Sequence, residues 1–161
     1  MLPDASFEYG KGCSIPLNIF AMEQDGLNII SAMIQDSVLP IKEISWLKKQ
    51  YRFVLLINRF RWEDKEQALL EGRSLQRVQS LLSVENVTLV NSLGINQKTP
   101  EQVISILSIL AEKGSNKEIC LHLALAGGGA FRLKIEALEV KLKDVTKPYK
   151  AISDKVPSHT E

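Results

Sequence analysis

The run Arg59-Phe60-Arg61-Trp62-Glu63 comes nearest, by residue type, to a binding site. A guanidinium presents a planar fork of N–H donors that fits carboxylates and phosphates, and an indole offers a face on which a ring or base can stack. Arg52, Lys48 and Lys49 precede it closely and extend the cationic character. Arg52, Arg59, Arg61, Trp62 and Glu63 therefore form the candidate set for holding a ligand or partner. The same residues also have a plain structural use, in which arginine stems cover apolar surface and Trp62 plugs the end of a core.

Cys120 and His122 are two residues apart, so a strand would place both side chains on one face. A catalytic thiol-imidazole pair needs a hydrogen-bonded third group and a cleft, and a metal site needs more ligands than stand nearby. A buried thiol beside a satisfied imidazole is the expectation. The triplet Gly127-Gly128-Gly129 could ring an anion with backbone N–H groups, but a phosphate cradle is followed by a helix, and Phe131-Arg132-Leu133-Lys134 continues as a strand. Turn chemistry is the better account. Gln35, Asp36 and Glu136 become acid–base partners only if folding brings them together. No catalytic residue, metal ligand or cofactor is assigned, and the balance leans away from an enzyme.

The elements that must position these residues are read from periodicity. Ile119, Leu121, Leu123 and Leu125 alternate with smaller residues, and after the glycines Phe131, Leu133 and Ile135 alternate with charged ones. Two period-two runs joined by glycine predict a β-hairpin. Beyond it the apolar parity slips to Leu138, Val140 and Leu142, which predicts a bulge or bend near Glu136-Ala137, with a short helix as the competing reading. Leu27, Ile30, Ile34 and Val38 recur at helical spacing, so one main helix is expected from Gly26 to about Val38, capped by Asp25 and closed by Pro40. Strands are expected at 17–22, 41–47 and 51–62. The stretch 77–92 reads as one bent strand or two strands broken near Asn86, and 63–71 as a loop or short surface helix. Thr99-Pro100-Glu101-Gln102 resembles a helix start, yet the β-branched run from Val103 favours a strand.

With 161 residues, 45% of them hydrophobic, the chain suits one domain, expected over 17–147 between an N-terminal arm (1–16) and a loose C-terminal tail (148–161). One convincing helix and about seven strands predict an α+β fold, a mainly antiparallel, curled or barrel-like sheet packed on that helix. The net charge of +1 gives no global case for nucleic acid, which would need a local patch. Two cysteines and no signal or spanning run predict a cytoplasmic protein without membrane contact.

Several stretches together resemble a known group. Gln35-Asp36-Ser37-Val38-Leu39, Arg52-Phe53, Asn58-Arg59-Phe60 with Trp62-Glu63, Leu93-Gly94-Ile95, and Ala126-Gly127-Gly128-Gly129-Ala130 before Arg132-Leu133 are similar to an uncharacterised bacterial family, a domain of unknown function found mainly in alphaproteobacteria. Its members tend to carry Asp-Arg-Val where this chain has Glu85-Asn86-Val87. The resemblance implies one compact cytoplasmic domain and brings no activity, ligand or catalytic residue. The expected function is a non-enzymatic module for a protein partner or homo-oligomer. The alternative is a binder of nucleic acid or another anionic ligand through the Arg/Lys/Trp patch.

Overall fold

The computed structural model describes residues 15–150. Along the chain these form β1 (Asn18–Ala21), α1 (Gln24–Ile34), β2 (Val38–Pro40), β3 (Ile44–Leu47), β4 (Arg52–Phe60), α2 (Lys65–Glu71) and β5 (Gln76–Val84). There follow β6 (Val87–Leu93), β7 (Val103–Lys113), β8 (Ile119–Leu125), β9 (Ala130–Ile135), β10 (Val140–Asp144) and β11 (Tyr149–Lys150). Tyr149 and Lys150, read from sequence as tail, pair with Arg77 and Gln76 of β5. Residues 1–14 of the expected arm and 151–161 of the tail lie outside the described residues.

The glycine hairpin is as expected. β8 and β9 pair antiparallel, the Leu125 N–H donates to the Gly129 carbonyl at 2.9 Å, and Gly127 and Gly128 take φ of 86° and 92°, which side chains resist. The chain then bends at Glu136-Ala137 and leaves this half of the sheet, so that β10 pairs instead with β5 and β1. The parity slip thus marks a strand changing partners. Val103–Lys113 is a strand, and Asn86 (φ 59°) breaks 77–92 into β5 and β6, which do not pair with each other. Asparagine tolerates that left-handed conformation better than most side chains.

The α+β expectation is overturned. Among the described residues eleven antiparallel strands dominate, the α-helices are two short ones of 11 and 7 residues, and the sheet is open rather than closed into a barrel. Its path runs β1-β10-β5-β4-β2-β7-β8-β9-β6, so β1 and β6 are end strands. The sheet also branches. β2 and β3 succeed each other along one side of β4, but a 3-10 turn at Ile41–Glu43 separates them, and only β2 goes on to pair with β7. β3 is left with an unpaired outer edge.

Helix α1 is also shorter than its apolar spacing suggests. It ends at Ile34, because Asp36 (φ 63°) donates its N–H to Ile106 and the Ile106 N–H returns to Ser37, drawing the chain into the ladder with β7. Asp25 does not cap it; Glu23 is the N-cap residue, without a side-chain hydrogen bond, and Asp25 lies inside the first turn, where a carboxylate favours the helix dipole. Leu27, Ile30 and Ile34 bury the inner face of α1 against a core shared by both halves of the sheet. Phe53 of β4 and Phe131 of β9 meet there at 5.3 Å between ring centroids.

Candidate functional site

Along β4 the alternating side chains Phe53, Leu55, Ile57 and Arg59 are all buried, which carries the Arg59 guanidinium into the end of the main core. There its Nε donates to Ser80 and Asp144, Nη1 to the Phe60 carbonyl and Glu63, and Nη2 to Glu63 and Asp144. Every nitrogen is engaged within the protein. Burial alone would lower the Arg59 pKa, but the hydrogen bonds and charge of Glu63, then those of Asp144, outweigh it and raise it. Burial would likewise raise the Glu63 pKa, and Arg59 holds it below the ordinary carboxylate range. Asp144 also accepts from the Ser80 hydroxyl at 2.7 Å and the Leu17 N–H at 2.7 Å. One buried carboxylate thus ties β4, β5, β10 and the entry to β1 together.

Arg61 is 2% exposed and lies against Asp64, which Arg73 grips with two hydrogen bonds of 2.7 and 3.0 Å. Trp62 donates its indole N–H to the Gln35 carbonyl and packs on Phe60, over a small second core with Ala68 and Leu75. Arg77 lies over the other aromatic, its guanidinium carbon 3.9 Å from the Phe60 ring centre. Burial lowers the Arg77 pKa and raises that of Tyr149. The structure therefore gathers Arg59, Arg61, Trp62 and Glu63 around the end of β4 with their polar groups turned to internal partners.

Arg52 stands apart, at the other end of β4 and on its outer face. It is half-exposed, and its Nε–H is shared between the two carboxylate oxygens of Glu85 at 2.8 and 2.9 Å; that hydrogen bond and charge raise its pKa. It borders a groove of about 560 Å³ across the outer face of β1, β3, β4, β5 and β10. Val54, Leu81, Phe20 and Leu47 make its apolar surface, with Phe20 51% and Leu47 40% exposed. Lys141, between Phe20 and Ser83, and Lys143, beside Leu81, stand within it and form no ion pair among the described residues. The sequence reading passed over these lysines, although their place between Val140, Leu142 and Asp144 signals an outward row.

Cys120 and His122 face outward, half-buried, with Lys134 and Arg132 as their cross-strand neighbours and no bond to each other. Their expected burial as a satisfied pair is therefore corrected: β8 buries only the leucine row. Among the described residues no cluster of three metal-ligating side chains occurs. Asp36 faces the charge of Arg77, whereas Glu136 is exposed at the bend after β9, beside Asn86.

The stretches behind the family resemblance meet in pairs. Trp62 bonds Gln35, and Asn58 donates to the Val38 carbonyl. Gly94 packs so tightly on Gly129 that a methyl on either would sit 3.2 Å from backbone atoms of the facing strand end or turn. Among the described residues no helix is long and apolar enough to cross a membrane. Comparison with curated proteins and with solved structures gives no match. The family model described as "Protein of unknown function (DUF2948)" matches residues 17–159, nearly the whole chain, and the protein belongs to that family.

Proposed function

We propose that the chain is a non-enzymatic, cytoplasmic protein-interaction module, and that the outer groove receives a partner segment with an apolar anchor flanked by acidic residues. One observation carries this reading: Lys141 and Lys143, without ion-pair partners among the described residues, stand between exposed Phe20 on β1 and the apolar floor of Leu81 and Val54, with exposed Leu47 at the far side beside Arg52. Exposed apolar side chains interleaved with unpaired lysines suit a partner that brings an apolar anchor and carboxylates together. Arg52 is the sequence-derived candidate that belongs to this surface; its charge is shared with Glu85 and Glu139, which leaves the lysine end the more cationic. The two cysteines, too few for a disulfide framework, support the cytoplasmic placement.

Selection of displayed peptides on the full chain tests this. The enriched sequences should join phenylalanine or leucine to aspartate or glutamate, and Phe20→Ser or the pair Lys141→Glu and Lys143→Glu should remove binding without lowering the thermal midpoint. Enriched peptides indifferent to those substitutions would overturn the reading. Sedimentation over a range of concentrations checks whether a second copy is the occupant; dimerisation lost in the same variants would identify it.

A further inference from the structure

A second, unrelated recess lies where the sheet fails to close. The outer edge of β3 faces β6 across a cleft of about 420 Å³ that reaches down to Phe53 and Phe131 in the main core. Ile44 and Trp46 line one wall, Val90 and Ser92 the other. The two ends are shut. At one, the Val87 N–H donates to the Tyr51 carbonyl at 2.8 Å; at the other, the Ile41 and Lys42 N–H groups bond the Gln102 and Pro100 carbonyls at 2.9 and 3.0 Å. The Lys42–Glu101 ion pair adds a clasp at that second end. A strand running through the gap would have to break these bonds, whereas a compact molecule entering from the side would not.

The chemistry of the walls narrows the ligand. Three aromatic rings and several aliphatic side chains favour a flat apolar body, which aromatic edges and faces contact well. The Trp46 indole N–H and the Ser92 hydroxyl have no hydrogen-bond partner among the described residues, and both residues border the cleft. The one charged side chain in the lining, Lys42, is already paired with Glu101. A volume at the small end of the roughly 300–1,000 Å³ typical of ligand pockets, mostly apolar with a few polar groups, fits this picture. We infer that the cleft between β3 and β6 is a binding site for a small, neutral, planar aromatic molecule carrying one hydrogen-bond acceptor, held by Trp46 and Ser92 over the Phe53–Phe131 floor.

The neutral fluorophore prodan, a naphthalene with one ketone, is a suitable probe for the full chain. Its emission should shift to the blue with saturable, one-to-one binding, and amide and indole NMR shifts should change at Trp46, Val90, Ser92 and Ile95. Ser92→Phe, which fills the cleft, should weaken binding by about tenfold or more through direct clash. Trp46→Phe keeps an aromatic wall and removes the N–H. It should weaken prodan by roughly three- to tenfold, the value of one hydrogen bond, and leave the ketone-free analogue 2-(dimethylamino)naphthalene unchanged. Should Ser92→Phe not fold, the wild-type shift map and Trp46→Phe decide the matter. Linear partitioning, absence of binding, or shift changes centred on Lys141 and Lys143 would overturn the inference. Equal loss of both probes in Trp46→Phe would overturn the assigned acceptor.

Discussion

The Arg59–Asp144 pair is where a single substitution should tell most. Both side chains are almost wholly excluded from solvent, at 0% and 3% exposure, so removing Asp144 leaves the buried guanidinium with Glu63 as its remaining carboxylate partner and takes the acceptor from the Ser80 hydroxyl and the Leu17 N–H as well. Asp144→Ala should cost about 3–5 kcal/mol in urea denaturation, well above the typical surface substitution. The pH dependence follows from Glu63, whose carboxyl Arg59 holds below its ordinary range. A depressed folded-state pKa gives stability that is complete above the unfolded value of about 4.3 and is lost as pH falls through the folded one. Glu63→Gln should therefore be less stable than the parent at pH 7 and show a flatter fall in thermal midpoint below about pH 4; parallel curves for the two proteins would contradict this. Much of this cluster was open to a reading of parity. Arg59 shares parity with Phe53, Leu55 and Ile57, Ser80 with Val78 and Leu82, and Asp144 with Val140 and Leu142. A polar residue on an apolar row marks an internal partner, but which rows face one another is a tertiary fact. Local spacing could not join Asp144 to Arg59 across 85 residues.

The turns show how an element's conformation and its surroundings can be separated. Gly72 and Gly94 have nearly the same φ, 66° and 69°, but an added methyl would meet open space at Gly72 and the Gly129 Cα at 3.2 Å at Gly94. Gly72→Ala should cost only the left-handed penalty of about 1–2 kcal/mol. Gly94→Ala should cost that plus the overpacking of two chain segments, about a further 1–3 kcal/mol. Equal denaturation midpoints for the two variants would show that the approach of Gly94 to the β8–β9 turn carries no weight. Hairpin and bend were legible because alternation and turn chemistry act over a few residues, and β7 only through the β-branched composition of the run from Val103. β2 was not, since Val38 continues the spacing of α1 and only pairing with Ser105 and Asn58 makes Val38–Pro40 a strand. Here the nonlocal ladder overrides the local pattern.

Openness of the sheet belongs to the whole molecule, and it raises the question of whether two halves joined mainly through the short β2 fold as one unit. Alternation told of strands but could not tell whether the last would meet the first, because closure depends on tilt, stagger and the branch at Ile41–Glu43 rather than on any one strand. β2 contacts β4 through one register pair and β7 through three, so the backbone link is slight. The apolar link is not. One cluster of buried side chains includes Leu55 and Leu82 from one half, Leu121 and Leu133 from the other, and α1 between them, with Phe53 against Phe131. If burial rather than backbone pairing holds the halves together, truncating Phe131 in β9 must weaken strands it does not pair with. Phe131→Ala should cost about 3–5 kcal/mol and speed hydrogen exchange of the slowest amides by the same factor in β5 as in β8, because both would exchange through a shared global opening. Faster exchange in β8 with β5 unchanged would instead mean that each half-sheet opens alone, with β2 as the hinge between them.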